Sequence, residues 1–337
     1  MTAGGDRVRM GVLLPSRESA AVGEWAMAPL LDFAREAERL GFDSVWTGDS
    51  LLARPRLDPL VVLASAAAVT SGITLGTAAL TAALRPPAIG AHQVASVDRA
   101  ADGRLVVGLG AGFPVPETEA EFAAVGVPFA GRAARLDETA AVWRRAWGRP
   151  AATGPWPDED PWGAPGGPDR EGAGLDRLPP PAAPGGPPLW LAGSDTARVV
   201  RRVARLYDGW LPFLPDAGLY ARAWGRIRRL AAEHGRAPDA IVPGLYATVL
   251  IDPDRERARK QLDAYTHAYY GQPLERMTAF QAYGYGTASE CARWLGGYVR
   301  AGARHVVLRI GSLDPETQRA QLAEAARRLV PALRTGT

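Results

Sequence analysis

The chain has 337 residues, 47% of them hydrophobic, enough for one large core or two smaller ones. Its 39 basic and 36 acidic residues leave a net charge of +3. The arginines are spread along helical patterns (Arg198, Arg201, Arg202, Arg205), which argues against a nucleic-acid-binding protein. The one cysteine, Cys291, excludes an intrachain disulfide and suits a reducing cytoplasm. The first residues lack an apolar signal core and no apolar run reaches about 18 residues, so a cytoplasmic protein with no membrane partner is expected.

Val8 to Leu14 reads as a first strand, stopped by Pro15. Leu30, Phe33, Ala34, Ala37 and Leu40 then mark one face of a helix that Gly41 closes. Asp43 to Thr47 is a second strand, leading into Gly48-Asp49-Ser50. Asp58-Pro59 opens the next helix as cap and first-turn proline. Ile73 to Leu80 is the third strand. It begins with bulk and ends in Gly76-Thr77-Ala78-Ala79, small residues at the end where parallel α/β proteins bind ligands. Either they make room for a neighbouring element, or they let something flat lie on the backbone.

Pro86-Pro87 begins a helix to about Ala101, and Arg104 to Leu109 is the fourth strand. Further strands follow at Leu189 to Ala192, Asp208 to Leu211, Ile241 to Ile251 and Arg304 to Arg309. Helical patterns over about 196–206, 217–234, 254–270, 288–301 and 315–333 alternate with them. Strands separated by helices with short connections are parallel with right-handed crossovers. Eight of them fit a (β/α)8 TIM barrel better than an open doubly wound sheet, so residues 1–337 are expected to form one barrel domain.

Two stretches break the rhythm. Residues 149–187, between strands four and five, are dense in Pro, Gly and Asp, either an active-site cover or a mobile insertion. Residues 269–286, after strand seven, hold Tyr269, Tyr270, Phe280, Tyr283 and Tyr285, which either line a substrate pocket or pack an extra helix.

Gly108-Leu109-Gly110-Ala111-Gly112-Phe113 is not a dinucleotide fingerprint, because Phe113 stands where the third glycine is required. What remains is a flat backbone surface beside the end of strand three. Gly193-Ser194-Asp195-Thr196 opens a helix. Ser194 or Asp195 can cap it, yet no Glu or Gln completes a capping box, and backbone N–H groups left free there favour a phosphate. Asp49 at the mouth of strand two and Arg309 at the end of strand eight can polarise a substrate or pair with each other. His92, His234, His267 and His305 show no metal spacing, so no metal site is expected.

Taken together, Leu75 to Leu80, Arg85-Pro86-Pro87, His92-Gln93, Ser96 to Arg104, Glu121 to Phe129 with Arg132, Arg135, Leu136, Asp137 and Glu138, Pro188 to Ser194, Asp208-Gly209-Trp210 and Ala301 to Arg309 resemble the bacterial luciferase-like monooxygenase family. The resemblance covers most of the chain outside about 149–187. It implies a barrel with an insertion after strand seven, a cytoplasmic homodimer, and reduced FMN or coenzyme F420 as cofactor for an oxidoreductase or monooxygenase acting on a small organic molecule. A separate flavin reductase is a further implied partner. The cofactor ring would lie on Gly76, Thr77, Ala78, Ala79 and Gly110, with a non-prolyl cis peptide at Ala78–Ala79. The phosphate would sit at Gly193, Ser194 and Thr196, with Ala111 and Gly112 close by. Many family members carry an acidic residue and a histidine at the end of strand two, where this chain has Asp49 and Ser50, the two residues taken here as catalytic. Serine does not titrate near pH 7, so a non-catalytic flavin-binding protein on the same fold is the alternative. A barrel lyase would need a lysine, and Lys260, on a surface-type helix, is the only one.

Overall fold

A computed structural model describes residues 7–149 and 174–335. Its strands are β1 (Arg9–Leu13), β2 (Ser44–Thr47), β3 (Thr74–Leu80), β4 (Leu105–Leu109), β5 (Leu189–Ala192), β6 (Gly209–Leu211), β7 (Val242–Ile251), β8 (Tyr283–Gly286) and β9 (His305–Ile310). β1 to β7 pair in sequence order, β7 pairs β9, and β9 returns to β1, all parallel, so eight strands close a barrel. Helices cover the outside. That is why the strands read as near-continuous apolar runs instead of alternating ones.

The helices are α1 (Ser16–Ala21), α2 (Ala28–Arg39), α3 (Pro59–Ala67), α4 (Pro87–Ala100), α5 (Pro116–Ala124), α6 (Arg132–Ala146), α7 (Ala197–Leu206), α8 (Ala217–Glu233), α9 (Arg255–Tyr270), α10 (Leu274–Thr278), α11 (Ala288–Arg300) and α12 (Pro315–Thr335). Local chemistry sets their ends. Asp58 accepts from the N–H groups of Leu60 and Val61, with Pro59 in the first turn of α3. Thr287 and Glu290 form a reciprocal capping box on α11.

Three helices and one strand lay outside the sequence reading: α1, α5, α6 and β8; α10 falls in the stretch where an extra helix was weighed. α1 and α10 are too short to show a period. β8 is Tyr-Gly-Tyr-Gly, and it pairs with the C-terminal part of β7, Thr248–Ile251, beyond the ring. With α9 and α10 it forms the insertion expected after strand seven.

The barrel interior is filled by Trp46, Trp190, Leu13, Leu211 and Val307. The Trp46 and Trp190 ring centroids are 5.3 Å apart, and the His305 ring meets both edge-on. Each such buried aromatic contributes about 1.5–3 kcal/mol relative to exposure. His305 Nε2 lies 2.7 Å from Ser44 Oγ. Burial, with Arg9 nearby, pushes the His305 pKa down to about 3, so the ring is neutral.

Of the Pro/Gly-rich stretch, residues 150–173 lie outside the described residues. Its two described flanks sit at the N-terminal end of the barrel, opposite the mouth. The reason is topological: the stretch follows helix α6 and feeds the start of β5. Arg149 pairs with Asp208, just before β6, at 2.7 Å, and Asp208 also accepts from Leu189 N. Ala183 N donates to Asp98 at the end of α4. Burial disfavours the Asp208 charge, but Arg149 and Arg144 outweigh it and hold the carboxyl below its usual range.

Candidate active site

The C-terminal ends of β2, β3, β4 and β5 lie side by side at the barrel mouth. β3 changes register against β4 between Thr77 and Leu80, and within that irregular stretch the Ala78–Ala79 peptide is cis. Ala78, Ala79, Gly110, Ala111 and Gly112 are half-buried, between the core and the mouth. A β-carbon on Gly110 would come 3.2 Å from the Ala79 methyl. Small residues on two adjacent strand ends therefore leave a flat surface carrying little more than backbone and methyl groups.

Gly76 and Thr77 do something different. A β-carbon at Gly76 would fall 2.3 Å from the Trp46 ring, so this glycine is the space Trp46 occupies inside the barrel. Thr77 is fully buried and donates its hydroxyl to Gly108 O on β4. Both support the platform from below, and the packing alternative holds at these two positions.

Asp49 and Ser50 also have structural partners. Asp49 Oδ2 accepts from Arg85 Nη1 at 2.8 Å and from Thr81 N at 3.0 Å, and Arg85 reaches on to Asp58 at 2.7 Å. Of the two roles weighed for Asp49 and Arg309, mutual pairing is not formed; Arg85 takes the Asp49 carboxylate. Ser50 Oγ donates to Glu121 Oε1 at 2.6 Å and accepts from Arg54 N at 2.8 Å. The same Glu121 oxygen accepts from Leu52 N and Ala53 N. One buried carboxylate on α5 thus pins the whole loop after β2.

At the end of β5, Thr196, not Ser194 or Asp195, caps α7, accepting from Val199 N at 3.4 Å. Gly193 and Ser194 are half-buried and Thr196 is exposed. Trp210 Nε1 donates to Gly193 O and Arg226 donates to Asp195 O, which ties the turn to β6 and α8. This is a helix start with hydroxyls and N–H groups together, suited to a phosphate.

The other side of the mouth holds a cluster that the sequence reading assembled only in part. Arg309, 2% exposed at the end of β9, donates to Thr248 Oγ1 at 2.9 Å, to the Tyr283 hydroxyl at 3.1 Å and to the Tyr270 hydroxyl. The rings of Tyr246, Tyr265 and Tyr269 also face its guanidinium. Tyr265 donates to Glu18 Oε1 at 2.7 Å, and Glu18 Oε2 has no hydrogen-bond partner. Burial pushes the Tyr246 and Tyr265 hydroxyls well above the usual tyrosine range, with Arg309 pulling the other way. Burial also opposes the Arg309 charge, but the tyrosine oxygens outweigh it and raise its pKa. In the aromatic stretch Tyr269 and Tyr283 are buried, and Tyr269, Tyr270 and Phe280 line a cleft of about 400 Å3 that begins at Phe113, next to Gly112.

A model of the luciferase-like monooxygenase family matches residues 8–330. The chain belongs to this family. Among curated luciferase-like relatives, an F420-dependent glucose-6-phosphate dehydrogenase of Kineococcus radiotolerans is 37% identical over 143 residues, 40% of this chain and 41% of the dehydrogenase. A phthiodiolone/phenolphthiodiolone dimycocerosates ketoreductase of Mycobacterium bovis is 26% identical over 280 residues, 76% of this chain and 66% of the ketoreductase. The chain thus spans less than two thirds of the length of either relative. Two solved structures share the fold. The monooxygenase RslO1 of Streptomyces bottropensis matches at TM-score 0.72 and 19% identity, over 96% of this chain and 99% of its own. An F420-dependent secondary alcohol dehydrogenase, solved with an F420-acetone adduct, matches at TM-score 0.72 and 17% identity, over 97% and 99%.

Within this luciferase-like barrel, Glu121 and Glu18 are the site residues that sequence reasoning missed. Glu121 stood in a family motif with no partner to name. Glu18, beside Arg17 on a helix of six residues, had no periodic signal at all.

Proposed function

We propose that this luciferase-like protein is an oxidoreductase that uses reduced FMN or F420 on a small organic substrate. The observation that carries the reading is the flat, half-exposed surface of Ala78, Ala79 and Gly110 at the barrel mouth. The residues fit a planar ring, because no side chain larger than methyl stands on these strand ends. Ala78, Ala79, Gly110, Ala111 and Gly112 would support the ring, and Gly193, Ser194 and Thr196 would take the phosphate. Bound there, the cofactor supplies a hydride or, if it is a flavin, the capacity to activate dioxygen.

The chain's own residues bind and orient. Asp49 fixes Thr81 and Arg85 behind the platform, and Ser50 with Glu121 fixes the loop that carries Arg54; both are positioning residues in this reading. Glu18 balances charge in the tyrosine cage, where Arg17, Arg56, Tyr246, Tyr265 and Tyr269 all interact with it.

Titration with FMN and with F420, followed by tryptophan quenching, tests this reading. Tight binding of one of them, followed by its oxidation in the presence of acceptors, is expected. Binding without turnover would favour the non-catalytic flavin-binding protein, a reading supported by the commitment of Asp49 and Ser50 to structural partners. If neither cofactor binds, the proposal falls. The resemblance also carries a cytoplasmic homodimer supplied by a separate flavin reductase; light scattering of the purified protein tests the dimer. No described helix is long and apolar enough to cross a membrane.

A further inference from the structure

The cleft beside the platform collects guanidinium groups. Arg17, Arg54 and Arg276 line it, Arg56 is close enough to repel Arg17, and Arg309 lies in the tyrosine cage. Among the described residues none of these five has a carboxylate within 4.0 Å. Glu117 is the acid among the lining residues; Glu18 is buried and bonded to Tyr265, and Glu121 is engaged by the loop that carries Arg54. Three guanidiniums therefore line the cleft against one carboxylate among its lining residues, an arrangement that favours an added anion.

The guanidiniums are also held in place. Arg17 lies 5.5 Å from the Tyr269 ring centroid and Arg54 lies 4.8 Å from that of Tyr270. Arg309 stacks on the same two rings, at 4.9 and 5.2 Å. Arg17 Nε is buried with no hydrogen-bond partner. Burial, offset in part by Tyr269, and then repulsion from Arg56 and Arg54 lower the Arg17 pKa. Such forks are pre-organised for two-point binding of carboxylate or phosphate. Across the same cleft, Phe113 and Phe280 are 48% and 44% exposed. These are large apolar rings left in solvent at the entrance.

We propose that the cleft takes a substrate with an oxyanion, carboxylate or phosphate, held by Arg17 and Arg54, and an apolar or aromatic body against Phe113 and Phe280. Its place next to a redox cofactor rests on the function proposed above. The anion selectivity itself does not.

The test is calorimetric titration of the full-length protein, with and without FMN or F420, using 3-phenylpropionate, its neutral amide and phenyl phosphate. At least one of the two anions should bind about tenfold tighter than the amide, or more. That preference should fall towards one in Arg17→Gln and Arg54→Gln, and in part in the exposed Arg276→Gln, with melting curves confirming that each variant folds. It should weaken with added salt. The tighter of the two anions names the group. An amide that binds as well as both anions, or variants that keep the preference, would overturn the proposal. So would loss of cofactor affinity in Arg54→Gln with anion binding unchanged, because the arginines would then serve an acidic part of the cofactor. If no cofactor binds but the anion preference stands, the functional reading fails and this one survives.

Discussion

Ser50 donates its hydroxyl proton to Glu121 Oε1 across 2.6 Å, tying the loop after β2 to helix α5. Glu121 accepts from Leu52 N and Ala53 N at the same oxygen. Replacing Glu121 with Ala strands three donors in a part-buried loop, a loss of about 1–3 kcal/mol. Urea unfolding of Glu121→Ala should show that loss. Because Arg54 rides on this loop, KM for an anionic substrate should rise more than kcat falls. Unchanged stability in Glu121→Ala would mean that the loop holds itself by other means.

Asp49 separates a structural from a catalytic role cleanly. Its side chain is 7% exposed and that of its partner Arg85 is 16% exposed. In Asp49→Asn the Thr81 N–H keeps an acceptor, while Arg85 keeps only the more exposed Asp58. A destabilisation of about 1–3 kcal/mol is expected, with a weaker cofactor Kd because Thr81 borders the platform. Full stability combined with complete loss of turnover would instead make Asp49 a catalytic residue.

Two neighbouring small residues should fail in different ways. Gly76→Ala drives a methyl to within 2.3 Å of the Trp46 ring. Overpacking of this kind costs about 1–3 kcal/mol or more, so thermal stability drops. Ala79→Leu places bulk on a half-exposed surface, so the fold survives and cofactor affinity is lost. Fluorescence titration beside a thermal melt reads both. Tight cofactor binding by Ala79→Leu would move the ring off this platform.

His305 gives the fold an acid-side pH dependence. Its pKa in the folded protein is about 3, below the value of 6.5 in an unfolded chain. Between those values the unfolded state holds the extra proton. The stabilising effect is therefore complete above about pH 6.5 and is lost as pH falls towards 3. The slope approaches about 1.4 kcal/mol per pH unit in mid-window. Denaturation midpoints from pH 7 to 4 should fall in the wild type and flatten in His305→Gln. Asp208, held low by Arg149 and Arg144, begins to lose its contribution only as pH falls to the ordinary carboxylate value, so of these two groups the upper part of the window reports His305.

The alternation of apolar strands with capped, periodic helices was enough to write down the closed parallel barrel, because strands buried on both faces read as continuous apolar runs and helices bury one face at fixed spacing. The small residues at the ends of β3 and β4 were legible as missing bulk on two buried strands, while whether each made room for a neighbour or for a flat ligand stayed open. Tertiary structure alone decided which contacts those residues make. Gly76 serves Trp46, two residues before Gly48 in another strand, while Ala78 and Ala79 face the mouth. Asp49 meets Arg85 and not Arg309; Ser50 meets Glu121, 71 positions away. The arginines that look scattered along the chain gather at one cleft, since Arg17, Arg54, Arg276 and Arg309 each follow or end a different strand at the same end of the barrel. Local periodicity reports whether a side chain is buried. Which partner it finds depends on strand register and on the side of the barrel from which each connection leaves, and neither is carried by nearest neighbours in the sequence.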